Sequence, residues 1–202
     1  MNQSLIYHGG GMGRGGGFPS GGGSSSYLFE RIWIPAEQFA PHNTNPPNGP
    51  NTRVFPNTVN AYSYFFTAAE LDLVYHWFCL PSRYWKYQFS APTECIVRLY
   101  WYVETTSANT IRWVAELNYV RHNETMNFVP PALGNYDAVA GTQYNLHVQT
   151  LTDFPINDPS GAGTEVEGAF YLKVGRNGAD AADTFAGESY LIGVSVEIPL
   201  KF

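Results

Sequence analysis

The groups in this 202-residue chain that could do chemistry are its carboxylates, histidines, thiols and aromatic rings. Hydrolysis of a glycosidic bond needs two acids facing each other across a sugar. Glu165 and Glu167 stand two apart, while Glu94, Glu104 and Glu116 fall on the polar faces of predicted strands. Two strands of opposite run would bring Glu104 near Arg112 or Glu116. As solvent-facing charges and cross-strand pairs these groups are worth roughly a few tenths of a kcal/mol each, and that reading outweighs a catalytic one. Asn177, Asp180 and Asp183 lie in one segment and carry oxygens that Ca²⁺ accepts, but their spacing is not that of an EF-hand. Asx side chains in such loops bond the nearby backbone, so Arg176, Asp180 and Asp183 are read as a structural loop braced by an Arg176–Asp183 pair.

Cys79 and Cys95 are too few for a disulfide framework or a four-ligand zinc site. Both fall on apolar faces of predicted strands and read as buried free thiols, with a bridge between them as the lesser alternative. Buried thiols make poor nucleophiles. His8, His42, His76, His122 and His147 show no ligand-like spacing. No catalytic residue, metal site or cofactor is assigned, and the chain is not expected to be an enzyme.

Aromatic rings carry more weight. Tyr84, Trp85 and Tyr87 cluster in SRYWKYQF, and Tyr100 with Tyr102 falls on the wetter face of a strand. Exposed rings of this kind stack on sugars or fill pockets at protein interfaces. These five form the candidate platform, with a protein contact preferred over a glycan.

The elements that must position them are strands. In 70–80 the odd positions Leu71, Leu73, Tyr75, Trp77 and Cys79 make one apolar face, and in 94–104 Cys95, Val97, Leu99, Trp101 and Val103 do the same. Ile111, Trp113, Ala115, Leu117 and Tyr119 continue the pattern after Thr105–Asn109, which reads as a hairpin loop. Later segments alternate on Tyr144, Leu146 and Val148, on Val166, Phe170, Leu172 and Val174, and on Tyr190, Ile192, Val194, Val196 and Ile198. Tyr27–Ala36 is a first strand stopped by Pro35. Residues 37–62 hold five prolines among many asparagines and read as a long, stiff loop, and 130–142 as a Pro/Gly break. Little helix is expected beyond Ala68–Leu71 or a turn at Pro81–Tyr84.

One-sided strands with turn-rich links require two sheets facing each other. The predicted fold is therefore an all-β antiparallel sandwich, jelly-roll-like, forming one domain over 27–202. Residues 1–26 are Gly/Ser-rich, cannot bury enough surface to fold alone, and read as an extended arm.

Composition narrows the partners. Only 14% of residues are charged, against 16% aromatic and 44% hydrophobic. Such a surface is cheaper to desolvate than an ionic one. A net charge of −6 with 11 scattered basic residues argues against a nucleic-acid binder. No 18-residue apolar run or basic leader is present, so neither a membrane span nor a secretory signal is predicted, and synthesis in a cytoplasm is.

The stretches TIRWVAELNYV, LHVQTLTDFPI and FYLKVGRNGADAADTFAGESYLIGVSVEI, with IPAEQF and FCLP upstream, resemble a jelly-roll module of tailed-phage virion proteins. The resemblance spans about residues 30–202 and is tightest over Val174–Arg176 and Asp183–Gly187. It implies a homotrimeric, non-enzymatic structural component of the virion, made in the host cytoplasm. The leading expectation is a capsid decoration (cement) protein whose arm, through Tyr7, Met12, Arg14 and Phe18, contacts the major capsid protein. The alternative is a tail, baseplate or fibre module that recognises a host surface glycan.

Overall fold

The computed structural model describes residues 27–54, 60–81, 88–89, 94–121, 134–155 and 168–201. Their strands are β1 (Tyr27–Pro35), β2 (Ala40–Pro41), β3 (Asn48–Val54), β4 (Asn60–Phe66), β5 (Leu71–Cys79), β6 (Gln88–Phe89), β7 (Glu94–Val103), β8 (Ser107–Arg121), β9 (Gly134–Gly141), β10 (His147–Pro155), β11 (Gly168–Asn177) and β12 (Ser189–Lys201). A 3₁₀ turn, Ala36–Gln38, follows β1 where Pro35 ends the ladder.

These strands make an antiparallel sandwich. One sheet has seven strands in the order β10-β7-β12-β4-β3, with β1 and β6 also paired to β12; the other runs β2-β5-β11-β8-β9. β12 is the spine of the first sheet. Along one edge its first residues pair with β4 and Gly193–Lys201 pair with β1, while its other edge carries β7 and then β6. From β4 onward most connections cross from one sheet to the other, which is jelly-roll wiring, whereas β3–β4, β6–β7 and β8–β9 stay within a sheet.

Between the sheets lie Ile34, Val97, Leu99, Trp101, Val194, Val196 and Ile198 from one side and Ile111, Trp113, Leu117, Phe170, Leu172 and Val174 from the other. Trp101 and Trp113 meet across the gap at 5.5 Å. Each large side chain buried this way contributes about 1.5–3 kcal/mol.

Several sequence expectations need correction. Thr105–Asn109 joins β7 in one sheet to β8 in the other, so it is an arch and not a hairpin, and Glu104 meets neither Arg112 nor Glu116 across a ladder. The stretch 37–62 contains β2, β3 and the start of β4, and 130–142 contains β9. Pro41 and Pro50 are tolerated because β2 and β3 are edge strands, where a missing donor breaks no ladder.

Two strands sit in the opposite phase to the one read. In β5, Val74, Phe78 and Leu80 beyond its end pack inward, which turns Tyr75, Trp77 and Cys79 outward. Cys79 is exposed, Cys95 is buried, and the two are not bridged. In β10, Leu151 and Phe154 join the core, leaving Val148 exposed beside Leu146 and Tyr144. β12 changes face at a bulge between Leu191 and Gly193, so Tyr190 does not share a side with Val194.

Candidate functional site

Alternation puts Phe29, Arg31 and Trp33 on the outer face of β1, because Ile34 is in the core and Ile32 packs against it. Cross-strand pairing then fixes their neighbours. Trp33 is level with Ser195, which is level with Arg98, which is level with Thr150. Arg31 is level with Glu197, while Gly193 is level with Tyr100 and Tyr100 with Val148.

The result is an aromatic floor on the outside of the seven-stranded sheet. Trp33 is 48% exposed, Phe29 58% and Val148 49%. The Trp33 indole stands edge-on to the Tyr100 ring, with centroids 4.9 Å apart and planes at 82°. Glycine at 193 makes room for it, since a Cβ there would lie 2.6 Å from Trp33 Cζ2. The Tyr100 hydroxyl is 3.5 Å from Ser195 Oγ. One step along the sheet, Glu197 Oε1 holds two guanidinium groups: Arg98 Nη1 at 2.8 Å and Arg31 Nη2 as a hydrogen-bond donor. Ring faces and the exposed Arg31 guanidinium thus share one open surface, with Ser195 and Glu197 buried beneath it.

Tyr100 of the sequence-read platform belongs to this floor. Tyr102 does not: at 1% exposure it is buried, stacked on Tyr190 at 4.7 Å in a cross-strand row that continues to Phe65. The Tyr190 hydroxyl anchors that row, lying 2.6 Å from Glu188 Oε2 and 3.1 Å from Glu104 Oε2 with its one proton shared between them. Tyr84, Trp85 and Tyr87, and the arm residues Tyr7, Met12, Arg14 and Phe18, lie outside the described residues. Trp33 and Phe29 were missed as site residues, although Phe29, Arg31 and Trp33 alternate with Glu30, Ile32 and Ile34 in YLFERIWIP.

The five-stranded sheet has an aromatic outer face too. Trp77 and Tyr75 lie 4.9 and 5.9 Å from Tyr171, and Lys173 Nζ is 5.6 Å from the Tyr171 ring. Lys173 pairs at 3.0 Å with Glu116, which also accepts from Asn118 Nδ2. Burial, then Glu116 and Tyr75, push the Tyr171 phenol above its ordinary pKa; burial, then Lys173, hold the His42 imidazole below its own, Glu116 opposing. These three rings are half-buried against one another and against Lys173, so less ring surface is open than on Trp33.

The loop from Asn177 to Ser189 is a brace. Arg176, fully buried, gives Nε to Asp183 Oδ2 and Nη2 to Oδ1, both at 2.7 Å, and Nη1 to Gly187 O at 2.6 Å. Nη2 also donates to the Phe185 carbonyl and Nη1 to Phe66 O at 3.4 Å, so the guanidinium's fork ties this loop to the end of β4. Asp180 pairs with Arg112 at 3.1 Å and accepts from the Ala182 N–H. With their oxygens engaged by cations, these carboxylates are tied into the loop; among the described residues no three His, Cys, Asp or Glu side chains are grouped to hold a metal.

No protein-family model and no curated protein matches the chain. Among solved structures it is similar to the xylan-binding module CBM15, at 8% identity over 86% of this chain and 97% of that one, with a TM-score of 0.44. It is also similar to the CBM36-1 domain of a multidomain xylanase from the hindgut metagenome of Trinervitermes trinervoides, at 13% identity over 83% and 96%, TM-score 0.40. A third is the Caldicellulosiruptor saccharolyticus CBM27-1 in complex with mannohexaose, at 9% identity over 82% and 96%, TM-score 0.40. At these values the function has to be argued from the sheet face itself.

Proposed function

We propose that this chain is a non-catalytic glycan-binding module whose ligand lies across the outer face of β1, β12, β7 and β10. The observation that carries this reading is the half-exposed Trp33 indole, seated on Gly193 beside Tyr100 and level with Ser195 and Arg98. A sugar ring has an apolar C–H face and a rim of hydroxyls. The first suits an aromatic floor, and the second suits fixed donors and acceptors next to it. Around Trp33, among the described residues, the carboxylate on this face is Glu197, held by two arginines, and glycoside hydrolysis needs an opposed pair.

A glycan array probed with the chain and with Trp33→Ala tests the reading. Signals on a defined subset of saccharides that vanish in the variant support it; a silent array, or signals indifferent to Trp33, rejects it.

A second reading is attachment to a virion surface, with self-association into trimers and the arm of residues 1–26 as a tie to capsid subunits. Phe29 and Val148 favour it, since they offer apolar surface without hydrogen-bonding groups. Under that reading the chain co-sediments with capsids and Phe29→Ser weakens the attachment, while the array stays silent.

A further inference from the structure

We propose that the ligand of the Trp33 face is an acidic saccharide, with a carboxylate or sulfate received by Arg31 and Arg98; this rests on the glycan-binding reading of that face. Two guanidinium groups converge on one carboxylate, Glu197, and both reach the same oxygen, Oε1. Among the described residues of this patch, two positive charges thus face one negative, an excess of one positive charge.

That excess stands out against a chain whose formal charge is −6. The Arg31 side chain is 60% exposed, whereas that of Glu197 is 11% exposed. The carboxylate is therefore tucked beneath, and a cation is what the surface presents. A guanidinium has five N–H donors in a fixed fork, and one carboxylate oxygen occupies few of them. The remaining donors of Arg31 match the two oxygens of a ligand carboxylate or sulfate in a bidentate bond.

Placement supports the same reading. Arg31 and Trp33 are two residues apart on one face of β1, which is about 7 Å along an antiparallel strand. A sugar stacked on Trp33 carries its own acidic group, or that of the adjoining sugar, toward Arg31. Glu197 fixes both guanidiniums before the ligand arrives, so less side-chain freedom is lost on binding.

The test compares polymers matched except for charge: polygalacturonate with its methyl ester, and dextran sulfate with dextran. Each is titrated into the full chain and into Arg31→Gln, Arg98→Gln and Trp33→Ala, with thermal melts to verify folding. The exposed Arg31 makes its variant informative even if Arg98→Gln unfolds. The expected result is at least tenfold tighter binding of an acidic member than of its neutral counterpart. That preference is lost in Arg31→Gln, and all binding is lost in Trp33→Ala. A response to the carboxylated pair alone or to the sulfated pair alone identifies which acid is received. Equal, Trp33-dependent binding of charged and neutral members overturns the acidic preference and leaves the glycan reading standing. Absence of Trp33-dependent binding to any saccharide, here and on the array, overturns both.

Discussion

Gly193 and Trp33 are in such close contact that a methyl group cannot be placed between them: a Cβ on residue 193 would lie 2.6 Å from Trp33 Cζ2 and 2.8 Å from the Ile34 carbonyl oxygen. The ring can turn away, but the carbonyl belongs to the β1–β12 ladder and cannot. Gly193→Ala should therefore cost about 1–3 kcal/mol, the range for forcing a group into a packed site. It should also displace the indole from its seat. A lower urea midpoint together with a changed tryptophan emission is the expected outcome; unchanged values in both would mean that glycine is not required there.

Arg176 and Asp183 are both fully buried in side-chain terms. Removing one partner strands the other charge, and such changes cost about 3–5 kcal/mol. Arg176→Met should lower the denaturation midpoint sharply or prevent folding. The double variant Arg176→Met, Asp183→Leu should recover part of that loss, as a double-mutant cycle would show.

Burial pushes the Cys95 thiol up to about 12, whereas Cys79 is exposed. A thiolate is what reacts with disulfide reagents. In the folded chain one thiol should be titrated promptly and the second only after denaturant is added. Two fast thiols without denaturant would place Cys95 in the open.

His76 is held below its ordinary pKa by burial, against a smaller upward pull from the hydrogen bond to Gln38 O. The folded state thus disfavours the imidazolium. Stability associated with this group is complete above the unfolded value of 6.5, is lost as the pH falls below it, and levels off beneath the folded pKa. His42 shifts in the same direction. Urea midpoints measured at pH 7.5 and 5.5 should fall with pH, and the fall should be smaller in His76→Gln. An equal fall in both proteins would remove His76 from the account.

What the sequence conveyed depended on how one-sided each strand was. β7, β8 and β11 have core residues on one face against Arg98, Arg112, Glu116 and Lys173 on the other, and their orientation was legible. β5 and β10 were not, because Val74 and Phe78 compete with Tyr75 and Trp77, and Leu151 with Val148. Periodicity alone has no means to choose between two apolar faces; the pairing with β11 and β7 makes the choice. The same ambiguity hid Trp33, which alternates with Ile32 and Ile34 in a strand apolar on both sides. Tyr100 was found because Leu99 and Trp101 flank it, and Tyr102 was misplaced because a row of rings three strands wide has no signature in a single strand.

On the reading proposed above, the glycan surface is the outer face of the seven-stranded sheet and not that of the five-stranded one. Isothermal titration of the strongest array ligand into the chain, Trp33→Ala and Trp77→Ala tests it most directly, because the two tryptophans lie on opposite sheets. Trp33→Ala should weaken binding at least tenfold, about 1.4 kcal/mol or more, while Trp77→Ala should bind as the unmodified chain does. Binding that survives loss of Trp33 and fails with loss of Trp77 would contradict it and move the site to the other face.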